Sequence, residues 1–179
     1  MTRVFLIGYM GVGKTTIGKR LSVELGIEFI DLDIYIENRY RKSIEQLFNK
    51  KGEDGFRKIE REMLREVASF QNVLIATGGG TPCFFDNMDV MNKQGTTVYI
   101  KASIEQLVAR LLASKNIRPL IENKSPAELK DFVTQHLALR EGYYSKAQII
   151  YENRYLVSFA HVSKTVEEIK ALLQTHLKN

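Results

Sequence analysis

Residues 8–15 carry the residue types and the spacing that bind the phosphates of a nucleotide. They read Gly-Tyr-Met-Gly-Val-Gly-Lys-Thr and match the pattern G-x-x-x-x-G-K-[ST]. Glycines let backbone N–H groups curve around phosphate oxygens, and the N-terminus of a following helix adds partial positive charge. In this pattern Lys14 reaches the β- and γ-phosphates and the Thr15 hydroxyl holds Mg²⁺. The segment predicts a nucleoside triphosphate site, and a glycine-rich turn without a ligand is the alternative.

Two common classes of nucleotide-using protein do not match the rest of the chain. A regulatory GTPase carries an Asn-Lys-x-Asp segment, which this sequence lacks. A mechanical ATPase has a buried strand that ends in Asp, whereas here the third predicted strand runs into Thr77 and three glycines, Gly78, Gly79 and Gly80. Such glycines leave bare backbone at the carboxyl edge of a sheet, where ligands of these folds bind. We expect the triplet to lie against a small substrate, and a flexible loop is the alternative.

Two carboxylates, Asp31 and Asp33, follow the second predicted strand. An acidic pair beside a phosphate loop can hold Mg²⁺ through water and accept a proton from an attacking hydroxyl. The alternative is that Asp33 is the N-cap of the next helix, and both roles can coexist.

Three arginines are candidates for binding an anionic group of a substrate or nucleotide. Arg57 has a glutamate, Glu60, three residues later, and on a helix this glutamate could orient Arg57 for a carboxylate substrate, although such pairs usually decorate solvent faces. Arg118 lies in a stretch without periodicity, 114–124, which suggests a lid over the triphosphate. Arg140, near the end of a predicted helix, could serve a substrate anion or the C-terminus of its own helix.

Strand-like apolar runs alternate with helical periodicity along the chain. The predicted strands cover residues 4–7, 27–30, 73–76, 97–100 and 148–151. Helical patterns begin at Lys14, at residue 34 and at residue 43. A longer helical pattern places apolar side chains on one face, namely Phe56, Ile59, Met63, Val67 and Phe70. Capping-box patterns predict the starts of three further helices, at Ser103, Ser125 and Thr165. This alternation predicts an α/β fold with a parallel sheet covered on both faces.

Composition limits the partners of the chain. Its 179 residues, 44% hydrophobic and 26% charged, predict one globular domain over 1–179. The net charge of +5 comes from basic residues that are scattered along the chain and form no cluster, which argues against nucleic-acid binding. The longest uncharged stretch contains Pro and Gly, so we expect no membrane span, and the first residues do not resemble a signal peptide. One cysteine, Cys83, suits a reducing cytoplasm, and His136 and His176 are expected on helix faces.

Taken in order, these motifs resemble the shikimate kinase family. The resemblance covers about residues 3–151 and rests on the phosphate loop, Asp31-x-Asp33, Gly52-Glu53-x-x-Phe56-Arg57-x-x-Glu60, the glycine triplet, Arg118-Pro119-Leu120 and Arg140. It implies a three-layer P-loop kinase fold of the nucleoside-monophosphate-kinase type with a five-stranded parallel sheet. The implied reaction transfers the ATP γ-phosphoryl group to the 3-hydroxyl of shikimate, on the way to chorismate and the aromatic amino acids.

The resemblance also implies roles for single residues. Nucleotide binding is implied for Gly11, Val12, Gly13, Lys14, Thr15, Thr16, Arg110 and Arg118, and shikimate binding for Asp33, Arg57, Gly78, Gly79, Gly80 and Arg140, with Phe48 and Phe56 as apolar walls. The implied catalytic residues are Lys14, Asp33 and Arg118, and the implied Mg²⁺ residues are Thr15 and, through water, Asp31.

The same resemblance implies a substrate-binding segment at about 33–61, a lid at about 113–125, and a cytoplasmic monomer that binds neither nucleic acid nor membrane. Arg154 is a candidate adenine contact after the fifth strand. Two other hypotheses stay open: a kinase of another small polar metabolite, such as gluconate, and a nucleotide-binding module without enzymatic activity.

Overall fold

Five parallel strands form the centre of the protein in a computed structural model, which describes residues 2–114, 121, 124–154 and 159–176. The strands are β1 Arg3–Ile7, β2 Glu28–Asp31, β3 Val73–Ala76, β4 Thr96–Lys101 and β5 Ile149–Glu152. Their order across the sheet is β2-β3-β1-β4-β5, and every neighbouring pair is parallel. Successive residues of β1, β3 and β4 are buried, so helices cover both faces of the sheet, as the uninterrupted apolar runs predict.

The helices connect the strands in the alternating order expected from the sequence. They are α1 Lys14–Leu25, α2 Leu32–Tyr40, α3 Ile44–Ala68, α4 Asn87–Gln94, α5 Ile104–Ala113, α6 Pro126–Tyr144 and α7 Phe159–His176, with a 3₁₀ turn at Thr81–Cys83. The predicted α/β fold with a five-stranded parallel sheet is confirmed. No helix within the described ranges is long and apolar enough to cross a membrane.

Capping explains where several helices begin and end. Ser103 and Ser125 each form the predicted capping box, with Gln106 and Glu128 respectively. Gly26 ends α1 in the left-handed conformation, with a φ of 65°.

Three expectations about local structure are wrong. Thr165 does not open a helix, because α7 already begins at Phe159 and buries Thr165 in its interior. Asp31, and not Asp33, is the N-cap of α2. Phe70 lies beyond the end of α3 and is 36% exposed, so it does not share the buried face. The two helices expected over 43–70 are confirmed, because α3 consists of two helical parts that meet at a kink at Gly52, where φ is 67° and ψ 178°.

The strand register brings three chain segments to one level. Ala76 of β3 pairs with Leu6 of β1 on one side and with Asp31 of β2 on the other. The phosphate loop, the acidic pair and the glycine triplet therefore leave the carboxyl edge of the sheet side by side, where ligands of parallel α/β folds bind.

Candidate active site

The phosphate loop has a backbone that only glycine adopts easily. Gly8, Gly11 and Gly13 have φ values of 142°, 80° and 98°. A Cβ atom on Gly8 would also lie 2.6 Å from the carbonyl oxygen of Ile100. Gly13 precedes the first turn of α1 and has no side chain to cap it, which leaves the helix N-terminus to an anionic ligand.

Lys14 is held against this loop by its ammonium group. The side chain is buried, and Nζ donates hydrogen bonds to the carbonyl oxygens of Gly8 at 2.7 Å and Tyr9 at 3.1 Å. The positive charge therefore lies at the loop itself, as the predicted contact with the β- and γ-phosphates requires.

Thr15 and Asp31 form a hydroxyl–carboxylate pair beside the loop. Thr15 Oγ1 donates to Asp31 Oδ2 at 2.7 Å. The other carboxylate oxygen of Asp31 accepts from the backbone N–H groups of Asp33 and Ile34, so the N-cap role fixes the side chain. Mg²⁺ prefers oxygen ligands and usually takes one or two protein groups together with phosphates and water. The pair fits such an ion.

Asp33 lies in the first turn of α2, near two other carboxylates. Burial raises the pKa of Asp33 to about 6, and the negative charges of Glu60 and Asp31 act in the same direction. The ammonium of Lys14 lowers this pKa and only partly offsets the rise. A carboxylate with such a pKa is mostly ionised at neutral pH and still has appreciable affinity for a proton.

Arg57 is a buried cation on the part of α3 that follows the break at Gly52. Its Nη1 donates to Glu60 Oε2 at 2.8 Å, and both side chains are buried. The predicted pair is therefore formed, although it does not lie on a solvent face. The guanidinium carbon lies 4.1, 5.4 and 5.7 Å from the ring centres of Phe84, Phe56 and Phe48. Arg57 Nε has no hydrogen-bond partner among the described residues.

The glycine triplet lies at the point where the candidate substrate residues meet. A Cβ atom added to Gly78, Gly79 or Gly80 would lie 2.9 Å from Asp33 Oδ1, 3.4 Å from Arg140 Nη1 and 2.6 Å from Arg57 Nη2, respectively. One carboxylate and two guanidinium groups thus converge on a single turn of bare backbone. Such a set can hold a small molecule that carries a carboxylate and a hydroxyl group.

A cavity of about 590 Å³ lies on the other side of the phosphate loop. Its lining includes five residues predicted to bind the nucleotide, Gly11, Val12, Gly13, Thr16 and Arg110. Arg110 Nη1 donates to the carbonyl oxygen of Val12 at 2.8 Å, which fixes the arginine beside the loop.

The wall of this cavity that follows β5 was not predicted from the sequence. Asn153, His161, Val162 and Thr165 line it. Asn153 directly follows β5, so its position at a carboxyl strand end was a usable signal. The candidate Arg154 lines adjoining hollows instead. Arg118 and most of the predicted lid, 113–125, lie outside the described residues.

Known proteins resemble this chain over most of its length. The family model for shikimate kinase matches residues 10–170. The shikimate kinase of Parabacteroides distasonis is 55% identical over 152 residues, which are 85% of this chain and 88% of that protein. The crystal structure of shikimate kinase from Bacteroides thetaiotaomicron has a TM-score of 0.93 at 46% identity and covers 97% of this chain and 98% of its own.

Two further solved structures are similar to this chain at lower sequence identity. Shikimate kinase from Acinetobacter baumannii, solved in complex with shikimate, has a TM-score of 0.84 at 31% identity and covers 98% of this chain and 94% of its own. A gluconokinase from Sinorhizobium meliloti has a TM-score of 0.63 at only 14% identity, which shows a shared fold alone. With the family model matched over residues 10–170, the chain belongs to the shikimate kinase family.

Proposed function

We propose that this chain transfers the γ-phosphoryl group of ATP to the 3-hydroxyl of shikimate, giving shikimate 3-phosphate and ADP. The observation that carries the proposal is the convergence of Asp33, Arg57 and Arg140 on the glycine triplet, next to the phosphate loop. Shikimate presents one carboxylate and several hydroxyl groups, which match two guanidinium groups and one carboxylate. The named relatives carry this activity in their names.

Arg57 and Arg140 bind the carboxylate of shikimate in this proposal. They reach neighbouring glycines of the same turn, and both are held by other side chains before substrate arrives. Gly78, Gly79 and Gly80 leave the room in which the ring of the substrate lies against backbone. The stack of Phe48 on Phe56, with ring centres 4.2 Å apart, gives the pocket an apolar wall.

Asp33 orients the reacting hydroxyl and accepts its proton. Its pKa of about 6 suits a group that is ionised when substrate binds and protonated as the new bond forms. Lys14 stabilises the charge on the transferred phosphoryl group, and Arg118 shares that role. Thr15 and, through water, Asp31 would hold Mg²⁺, which supplies charge neutralisation on the phosphates.

The nucleotide lies in the 590 Å³ cavity, with the phosphates at residues 11–16 and the adenine against Arg110. We further propose that residues 1–179 form one domain, with a substrate-binding segment at about 33–61 and a lid at about 113–125. The chain acts in this proposal as a monomer in the cytoplasm, in the route to chorismate and the aromatic amino acids, without nucleic acid or membrane partners.

An ADP-release assay with a panel of acceptors tests the proposal. Shikimate, gluconate, nucleoside monophosphates and water are compared at saturating MgATP. We expect acceptor-dependent release with shikimate alone, because the relatives that are 46–55% identical to this chain are named shikimate kinases, whereas the gluconokinase is only 14% identical. Gluconate-dependent release would support a kinase of another metabolite, and ATP binding without acceptor-dependent release would support a nucleotide-binding module.

A further inference from the structure

Helix α6 carries three polar side chains at a spacing of four residues, His136, Arg140 and Tyr144. This spacing places them on one face of the helix, in successive turns. Arg140 is the residue assigned above to the substrate carboxylate. His136 and Tyr144, one turn to either side of it, contact the phosphate loop and the glycine triplet respectively.

The phenol of Tyr144 and the guanidinium of Arg140 both lie at Gly79 of the glycine triplet. Tyr144 is fully buried, and its hydroxyl donates to the carbonyl oxygen of Gly79 at 2.6 Å. Burial raises the pKa of Tyr144, so the hydroxyl keeps the proton that it donates. The charge of the Arg140 guanidinium opposes this rise. Arg140 Nη1 lies 3.4 Å from the position that a Cβ atom on Gly79 would occupy, so the Tyr144 hydroxyl holds the backbone turn against which Arg140 lies.

A second tyrosine lies beneath the same guanidinium. Tyr9 belongs to the phosphate loop, its ring is buried, and its centre lies 5.9 Å from the guanidinium carbon of Arg140. The Tyr9 hydroxyl is hydrogen-bonded to Nδ1 of His136 at 2.9 Å. Burial lowers the pKa of His136, and the charge of Arg140 lowers it further, so the imidazole is neutral at pH 7 and can accept this bond.

We propose that Tyr9 and Tyr144 are positioning residues that hold Arg140 in place for the carboxylate of shikimate. The inference rests on the proposed function, because it requires that Arg140 binds this carboxylate. An arginine side chain has many rotamers, and a free one must lose them when substrate binds. The ring face of Tyr9 on one side, and on the other the Gly79 turn that Tyr144 holds, restrict the guanidinium beforehand, which reduces the ordering cost of binding.

Two substitutions that each remove one oxygen test the proposal. Tyr144→Phe keeps the ring, which packs on Tyr99 at 5.0 Å, and deletes the hydrogen bond to Gly79. We expect the KM for shikimate to rise about five- to twentyfold, with kcat changed by less than about twofold. Tyr9→Phe keeps the ring face and deletes the bond to His136, and we expect a smaller rise of about two- to fivefold. Tyr143→Phe is the matched control, because this neighbouring ring is 39% exposed, and its KM should stay unchanged.

A double-mutant cycle with Arg140→Ala separates positioning from general support of the fold. If Tyr144 acts through Arg140, Tyr144→Phe adds no further rise in KM for shikimate once the guanidinium is gone. An equal rise in both backgrounds would overturn the proposal, because Tyr144 would then affect shikimate binding independently of Arg140. A lowered Tm with an unchanged KM for both tyrosine variants would also overturn it, because the hydroxyl groups would then serve stability alone.

The same measurements distinguish this inference from the proposed function. If Arg140→Ala leaves the KM for shikimate unchanged, the substrate assignment of Arg140 fails, and the positioning role falls with it. If Arg140→Ala raises the KM while Tyr144→Phe and Tyr9→Phe do not, the proposed function stands and only the positioning role is overturned.

Discussion

Glu60 Oε2 accepts a hydrogen bond from Arg57 Nη1 at 2.8 Å, and both side chains lie in the interior beside the glycine triplet. The other oxygen of Glu60 accepts from the hydroxyl of Thr81 at 2.6 Å. Glu60 is thereby fixed by two partners, and it holds one arm of the guanidinium. A buried cation with a fixed orientation is what two-point recognition of a carboxylate requires.

The first prediction concerns Arg57→Lys, which keeps the charge and removes the planar fork. We expect the KM for shikimate to rise about ten- to a hundredfold, because a substrate carboxylate does not change during phosphoryl transfer and its binding affects ground and transition states alike. Steady-state kinetics at saturating MgATP measure this. Arg61→Lys is the matched control, since Arg61 lies one turn further on α3, is partly exposed and pairs with Asp86. A fall in kcat with unchanged KM would contradict the assignment.

The second prediction concerns Asp33→Asn, which keeps the shape and one hydrogen bond but cannot take up a proton. We expect kcat to fall by about 10² or more with a small change in the KM for shikimate. In a loose transition state for phosphoryl transfer, part of this loss reflects orientation of the hydroxyl. A variant that changes KM alone would reverse the roles proposed for Asp33 and the arginines.

The third prediction is a pH profile. Because the pKa of Asp33 is raised to about 6, its ionised form is lost as the pH falls through 6. We expect kcat/KM to decrease below about pH 6 with a slope of one proton, and Asp33→Asn to lack this limb. Persistence of the same limb in the variant would assign it to another group.

The fourth prediction is that Asp33→Asn raises the free energy of unfolding at neutral pH. The pKa of this carboxyl is raised from 3.8 to about 6, so the folded state binds the proton more tightly than the unfolded chain and disfavours the charged form. The wild type therefore loses stability as the pH rises from about 4 to 6, by about 1–3 kcal/mol after allowance for partial exposure. Urea unfolding at pH 7.5 should show this gain for the variant, and at pH 3.5 the gain should be gone. An unstabilised variant at pH 7.5 would contradict the raised pKa.

The fifth prediction concerns Lys14→Ala. Its ammonium bonds to two carbonyl oxygens of the loop, so we expect turnover to fall below about 1% of the wild type through loss of charge on the transferred group. Circular dichroism should show an intact fold, and Lys19→Ala, on the outer side of α1, should retain activity. Substantial turnover by the Lys14 variant would refute the role given to the phosphate loop.

Local patterns predicted the fold where one physical cause dominates. The buried strands and the phosphate loop follow from apolar runs and from glycines, which depend little on distant contacts. Helix α4 was not predicted, because its short sequence has weak periodicity. The pattern at Thr165 resembles a cap, yet packing places this residue beside Tyr151 inside α7. Such tertiary contacts are not encoded in spacing.

In the candidate site, too, local spacing predicted some contacts, whereas others depend on how distant segments pack together. Arg57 and Glu60 were paired from their spacing, and Phe48 and Phe56 of the same helix α3 were expected as apolar walls. The third ring at the guanidinium, Phe84, belongs to a distant segment after the 3₁₀ turn and was not predicted. Asn153 follows the carboxyl end of β5 and lines the cavity. Its role as a lining residue can be recognised only when the position of β5 in the parallel sheet is known. The roles of these residues in binding and catalysis stay predictions.

The close approaches to residues 78–80 have a consequence for how the gene tolerates mutation. Every missense change in these three codons adds at least a Cβ atom, which would lie 2.9 Å from Asp33 Oδ1, 3.4 Å from Arg140 Nη1 or 2.6 Å from Arg57 Nη2. Neighbouring codons should therefore produce different biochemical phenotypes: slower turnover from codon 78, and weaker acceptor binding from codons 79 and 80. In a saturation screen under selection, rising acceptor concentration would rescue alleles of the latter two codons and leave those of codon 78 impaired.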